Sequence, residues 1–374
     1  MSSTTAVTET VFTKQFAEFR ASIGDDAMTK LRSEAFAYFE ATGFPTPKDE
    51  DWKYTNVAAV AGGQWTVDSA GASGNTGEFN YKRNGFTALN LAFADIVVVR
   101  IPSETIVVEP IELSFTAEDG KAIFPHVIVV AESGSKATIV ETYAASGRGF
   151  TNAAVQVLVE ENANLTHYRV QKDSVEAFNY GVTEVEVRSG GHYDSTNINL
   201  GAALSRHDID LKFVAEGAEA WVDGLYMLSG GQHHDTHSII DHTVPNCLSH
   251  QTYKGVLNEN SRGVFNGKVF VRENAHGTDA QQSNKNLLLS NEARVDTKPQ
   301  LEIFNDDVKC SHGATVGQLE DEELFYLLTR GLPKTLAKNL LTYGFAEEVI
   351  NKIEIESIKG ELDSMVLNRL GAEI

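Results

Sequence analysis

The middle of the chain repeats one layout, in which two apolar strands are joined by a short turn. The turn residues Gly134, Asn162, Gly190 and Gly217 fall 28, 28 and 27 residues apart. The strand residues alternate between apolar and polar types and are rich in β-branched side chains, and no helical pattern separates them. A fixed period of strand-only units is typical of a β-solenoid, in which each coil packs on the next. Looser copies follow, after an apparent insertion near residues 229–250.

Helical patterns flank this repeat on both sides. Apolar residues recur at a spacing of 3.6 within residues 1–60 and again from Leu319 onward, where Gly331 is a suitable helix end. Because the raw edges of a solenoid need covering, we expect both helical regions to act as caps. The sequence therefore predicts an N-terminal helical region with a linker at 1–85, a β-solenoid core at 86–317 and a C-terminal helical domain at 318–374.

Charge and composition exclude several classes of partner. The net charge of −21 argues against binding to nucleic acid and to anionic membrane surfaces, both of which attract basic proteins. No apolar run approaches the roughly 18 residues of a membrane-spanning helix, and the N-terminus lacks an apolar signal-peptide region. The only two cysteines, 63 residues apart, form no disulfide framework. We therefore expect a cytoplasmic protein.

A candidate site lies where the last strand pattern meets the C-terminal helical pattern, in DDVKCSHGATVG. Cys310 and His312 are two residues apart, so on a strand their side chains point to the same face. A thiolate beside an imidazole can bind a soft metal or an iron–sulfur cluster, and it can also act as an activated nucleophile. Isolated cysteines are often buried packing residues, and the pair alone fits that interpretation better.

A second candidate site is the histidine-rich segment GGQHHDTHSIIDHTVPNCLSHQ. His233, Asp235 and His237 alternate and would share one strand face, which makes them a possible metal patch near Cys247. The alternative is a structural ladder of like residues stacked along a solenoid. Asp306 and Asp307 could form an acid and base pair as in glycoside-cleaving enzymes. Adjacent residues on a strand point to opposite faces, however, so we interpret them as turn residues.

Longer motifs carry a family resemblance. The segments HTVPNCLSHQTYKGVLNENSRGVFNGKVFV and TDAQQSNKNLLLSNEARVDTKPQLEIFNDDVKCSHGATVGQLEDEELFYLLTRG resemble the SufB/SufD family of iron–sulfur cluster assembly proteins. The N-terminal PTPKDEDWKYTN is also similar to this family. The modest length and the KCSH form of the motif favour the SufD branch over the SufB branch.

The resemblance implies a right-handed parallel β-helix between helical ends, in a non-enzymatic scaffold subunit of the SUF complex. It implies that a SufC-like ABC ATPase docks on the C-terminal helices and that a SufB-like paralogue binds through the β-helix. Cys310 and, above all, His312 match family positions at that interface. They would be ligands of a transient iron–sulfur cluster or of iron, with no cofactor permanently bound.

Alternatives remain open at this point. The chain could be a SufB-like scaffold, or a polysaccharide-active β-helix enzyme with a groove lined by carboxylates and a basic residue. His233 and His237 remain candidate metal ligands. An end of the solenoid left open without its partner would favour self-pairing, so we expect a homodimer when the chain is isolated.

Overall fold

The computed structural model of the chain describes residues 10–369. Residues 1–9, the start of the N-terminal stretch in which we expect no signal peptide, lie outside the described part. Residues 370–374, the end of the predicted C-terminal domain, also lie outside it. The helices are α1 (Val11–Ser22), α2 (Ala27–Thr42), α3 (Ala58–Ala61), α4 (Gly85–Phe93), α5 (Asp321–Thr329), α6 (Lys334–Ile350) and α7 (Glu356–Arg369), with a 3-10 turn at Glu50–Trp52.

Two parallel sheets enclose the core of a β-solenoid of about 8 turns. Sheet A has ten strands and sheet B has eight, and from β6 onward the chain alternates between them so that each coil adds one strand to each sheet. This confirms the mainly β, parallel solenoid flanked by helices. The strands of sheet A are β1 (Thr66–Asp68), β2 (Asp95–Ile101), β4 (Lys121–Ile123), β5 (Pro125–Ala131), β7 (Phe150–Val159), β9 (Phe178–Val187), β11 (Leu204–Phe213), β13 (His233–His242), β15 (Arg262–Val271) and β17 (Arg294–Ile303). Those of sheet B are β3 (Ile111–Ala117), β6 (Lys136–Ala145), β8 (Asn164–Gln171), β10 (His192–Leu200), β12 (Glu219–Leu228), β14 (Leu248–Leu257), β16 (Thr278–Leu288) and β18 (Val308–Gly317).

One turn recurs at the same place in successive coils. Its central residue has a positive φ, which glycine adopts without strain and asparagine tolerates. In most coils the N–H of this residue donates to a carbonyl of the next coil, as from Gly134 to Glu161 at 2.9 Å. The series consists of Gly134, Asn162, Gly190, Gly217, Asn246 and Gly277. The predicted insertion near 229–250 is therefore wrong, because the coils continue through this segment with Asn246 in the glycine position.

The N-terminal helices cover the first coils through an aromatic core. Phe16 stacks on Phe36 at 4.0 Å between ring centroids, and α4 is buried along its whole length. Their cluster continues into Phe150 and Phe178 of sheet A. Burying aromatic rings of this size is a main source of folding free energy, so this region and the first coils form one packed unit.

The C-terminal helices do not cap the last coil, contrary to expectation. The second half of α6 and α7 pack instead on the outer face of sheet B. There an apolar patch from β6 to β14, including Ile198 and Leu225, meets Val349, Ile350 and Leu362. Outward-facing apolar residues in these middle coils give the helices more surface to bury than the end of the solenoid does. No helix in residues 10–369 is long and apolar enough to cross a membrane.

Candidate interface site at the open end of the solenoid

The solenoid ends at β17 and β18, each of which has a neighbouring strand on one side only. On the preceding strand β16, the inward-facing Ala280, Gln282 and Asn284 are buried. On β18, all residues except Val308 and Cys310 are exposed. The inner row of the last coil is therefore open, and its backbone edge is free to pair with another chain.

Cys310 and His312 both lie on this open inner row. Cys310 pairs in register with Ala280, and His312 pairs with Gln282, so both side chains lie on the side that faces the core in the coil below. The sequence-based expectation of a shared face is confirmed. At the rise of a β-strand their Cα atoms are about 7 Å apart, which places a thiol and an imidazole within reach of one ion or cluster.

Burial affects the protonation state of the Cys310 thiol. Cys310 is half-buried against the core, and this burial raises the pKa of its thiol; the Ala280 backbone N–H opposes the shift and Asp279 adds to it. The group is thus a neutral thiol at pH 7 and must lose a proton to bind a metal. His312 is exposed. Asp306 and Asp307 lie in the turn before β18, where the Asp307 carbonyl accepts from Gly277 N–H at 2.8 Å.

His233 and His237 lie on the outer face of β13, as the alternation predicted, but they are engaged with other side chains. His233 Nε2 lies 3.0 Å from Thr55 Oγ1, and His237 Nε2 lies 3.1 Å from Asp235 Oδ1. Arg206 Nη1 pairs with the other oxygen of Asp235 at 3.0 Å. The sequence did not indicate Thr55 or Arg206. Their contacts join residues up to 180 positions apart, so no local spacing in the sequence relates the partners.

The Asp235 carboxylate is paired with two side chains of the same cluster, Arg206 and His237. Burial raises the pKa of Asp235, but His237 and Arg206 outweigh it and hold that pKa well below its ordinary value. Burial lowers the pKa of His233. Within residues 10–369 no group of three or more His, Cys, Asp or Glu side chains is arranged to hold a metal ion. The cluster is better suited to fixing the 50–57 segment on the solenoid, and its two histidines remain untested as ligands.

The other members of the histidine-rich segment point in different directions. His234 and His242 face the interior, where they bond to Ser205 and Ser249 at 2.7 and 2.8 Å. His250 stacks on Trp221 on the outer face of sheet B. Cys247 is buried, and burial raises the pKa of its thiol. The segment therefore does not form one metal site around Cys247.

A second exposed feature is an apolar face on α5 and the first half of α6. The helix α5 has no buried residue. We call this surface the docking face; its large apolar side chains are Phe325, Tyr326, Leu328, Leu336 and Leu340, which are 37–68% exposed. Contiguous exposed apolar side chains of this size mark interaction surfaces in soluble proteins.

Two family models match this chain. The model described as SUF system FeS cluster assembly, SufBD core domain, covers residues 114–345. The model of the SufBD protein N-terminal region covers residues 6–80. Together they cover α1 to α3, most of the solenoid and most of α6, so the match extends well beyond the Cys310 motif.

Several known proteins are similar to this chain. An iron–sulfur cluster assembly SufBD family protein of Synechocystis is 39% identical over 75% of this chain, and the match spans 65% of the length of that protein. The iron–sulfur cluster assembly protein SufD of Escherichia coli is 29% identical over 89% of this chain and 90% of its own length. SufD of Bacillus subtilis is 28% identical over 71% of this chain. This chain belongs to the SufB/SufD family of iron–sulfur cluster assembly proteins, in its SufD branch.

Proposed function

We propose that this protein is a non-enzymatic scaffold subunit of a SUF complex, in which it shares a nascent iron–sulfur cluster with a SufB-like paralogue. The observation that carries the proposal is the open last coil, whose inner row presents Cys310 and His312. One coil below, on β16, the same row is buried. A second β-solenoid stacked on this end would bury the row and bring further ligands to it.

The number of ligands supports a shared site. An iron–sulfur cluster takes four protein ligands, and Cys310 and His312 supply two. The cluster is therefore cargo, held between two chains and released when they part. Because burial raises the pKa of the Cys310 thiol, cluster binding must displace a proton, which makes the affinity pH-dependent.

The docking face supports a second partner. An exposed apolar surface on two helices fits a partner that supplies an apolar groove, and we assign it to a SufC-like ABC ATPase. The second half of α6 is buried on sheet B, so a force applied at the docking face reaches the solenoid through one continuous helix. In isolation, the open edges of β17 and β18 would pair with a second copy to give a homodimer.

The chemistry of the cysteines suits the cytoplasm. Both thiols are free, and a reducing compartment keeps such thiols available to a metal. A polysaccharide-active enzyme would need a free pair of carboxylates on the solenoid. The outer-face carboxylates Asp208 and Asp235 are instead paired with Arg206.

The test is cluster assembly on the reconstituted complex with SufB-like and SufC-like subunits. His312→Ala should abolish cluster formation, measured by visible absorption and acid-labile sulfide, while leaving complex formation intact. His192→Ala is the matched control, because His192 is a half-buried histidine on β10, far from the open end. Normal cluster formation by His312→Ala would overturn the assignment of the site.

A further inference from the structure

The outer face of sheet A carries a large cleft that the proposed function does not use. Its volume is about 790 Å³. The floor is formed by β11, β13, β15 and β17, and the wall by residues 50–54 together with Arg83 and Asn84. Binding sites for small molecules have volumes of about 300–1,000 Å³, so the cleft is large enough for an organic ligand.

Parallel register places one polar row along the floor. Asp208, His237, Asn266 and Lys298 are paired in succession across the four strands. Neighbouring strands are about 4.8 Å apart, so adjacent members of the row can contact the same small molecule. Gln300, two residues after Lys298 on β17, borders the same space.

Most of the charged groups in the cleft are already neutralised. Asp208 lies 2.8 Å from Arg206 Nε and 3.5 Å from Arg83 Nε. Glu302 lies 3.6 Å from Lys268 Nζ. Glu50 and Asp51 are exposed on the rim, where water screens their charge. These groups therefore line the cleft but contribute little net charge to it.

The other polar side chains on the floor include Lys298, Asn266, Gln300 and His237. Among residues 10–369, neither Lys298 nor Asn266 has a side-chain hydrogen bond or ion pair, and the buried Gln300 Oε1 has no hydrogen-bond partner. His237 uses Nε2 on Asp235, which leaves Nδ1 available. An ammonium and two amides without partners on the floor of a cleft form an unusual combination on a chain of net charge −21. Ammonium and amide N–H groups are donors, and an anion accepts from both.

We propose that this cleft binds a small organic anion, whose carboxylate or phosphate group contacts Lys298 and Asn266. The ammonium supplies the charge, the Asn266 amide donates a second hydrogen bond, and the Gln300 side chain contacts a neutral part of the ligand. An inorganic ion would fill little of the volume, so the anionic group is one end of a larger molecule. The cleft lies on the outer face of the solenoid, so this proposal is independent of the cluster site at the open end.

The test is calorimetric titration of the full chain with three probes: citrate, pyrophosphate and AMP. Citrate reports carboxylate recognition, and the other two report phosphate recognition. Lys298→Gln should weaken binding of the preferred probe about tenfold or more, because a charge-assisted hydrogen bond is lost. Lys298 is exposed, so the variant should fold, which its melting temperature and circular dichroism would verify. Lys136→Gln removes the same charge from β6, outside the cleft, and should bind as the wild type does.

Saturable binding that is weakened in Lys298→Gln and kept in Lys136→Gln supports the proposal. Two results would overturn it: no saturable binding of any of the three probes, or equal binding by Lys298→Gln and the wild type. Asn266→Ala gives an independent check on the same row, since it removes the second donor without changing the charge. Unchanged affinity in that variant also counts against the assigned floor.

Discussion

Lys352 Nζ lies 2.5 Å from Oδ2 of Asp223, so an ion pair joins the segment after α6 to a carboxylate that is 1% exposed on β12. The other oxygen of Asp223 accepts from Thr252 N–H at 2.8 Å. Nearby, the buried Lys254 donates to the Phe345 carbonyl of α6 at 3.0 Å. These contacts fix the helix that carries the docking face to the middle of the solenoid.

Removing the cation from this pair should loosen the helix. In Lys352→Met, the buried Asp223 carboxylate keeps the Thr252 N–H but loses its charged partner, so we expect a loss of about 1–3 kcal/mol in the free energy of unfolding. Lys352 is partly exposed, and water reaching the site keeps the loss below that of a fully buried pair. Urea denaturation measures the change. The double variant with Asp223→Asn should recover part of the loss, and a Lys352→Met protein as stable as the wild type would contradict the role of the pair.

We expect the docking face to determine the affinity of the chain for a SufC-like ATPase. Phe325 is 68% exposed, so Phe325→Ser costs little folding stability but removes the most exposed large apolar side chain of the face. A hot-spot residue of this kind contributes about 2 kcal/mol or more, which corresponds to a loss of roughly 30-fold in affinity for a SufC-like subunit. Surface plasmon resonance would measure it. Val108→Ser is the matched control, an 83% exposed apolar residue outside the helices, and equal loss in both variants would argue against a specific face.

The open end should control self-association. Val316 lies on the inner row of β18 and is 49% exposed. Val316→Lys places a charge where a second copy would stack, so the isolated chain should shift from dimer to monomer in analytical ultracentrifugation at micromolar concentration. Val108→Lys, which adds the same charge far from this end, should leave the dimer intact. A monomeric wild-type chain would remove the basis for this prediction.

The strands of the solenoid could be predicted because their pattern is local. Along each strand, side chains point in turn to the inner and the outer face of the solenoid, so apolar and polar residues alternate. The turn residues Gly134, Asn162 and Gly190 recur at a nearly fixed spacing. The face shared by Cys310 and His312 follows from the same rule. The repeat was missed at Asn246, because the spacing lengthens to 29 residues after Gly217 and to 31 residues before Gly277.

Features that depend on contacts between distant coils could not be predicted. Polar residues inside the core, such as His167 with Tyr193 at 2.8 Å, look like surface residues in the sequence, because their partners lie in another coil. The position of the C-terminal helices depends on an outward apolar patch spread over five strands, one or two residues from each. The cleft row of His237, Asn266 and Lys298 likewise appears only when the coils are stacked in register.

Glu184, on the outer face of β9, should give the folding stability a distinctive pH dependence. Burial, reinforced by the neighbouring Asp210 and opposed by Arg83, raises the pKa of Glu184 from 4.5 to about 7. Between these two values the folded chain holds a proton that the unfolded chain has released, so the free energy of unfolding falls as pH rises through this window. Glu184→Gln removes the titration and should be more stable than the wild type at pH 8, by at most about 3 kcal/mol, with no such advantage at pH 4. Denaturation series from pH 4 to pH 8 measure the difference. Glu112→Gln is the matched control, because Glu112 is exposed on β3 of the other sheet. A Glu184→Gln curve parallel to that of the wild type would show that folding does not raise the pKa of Glu184.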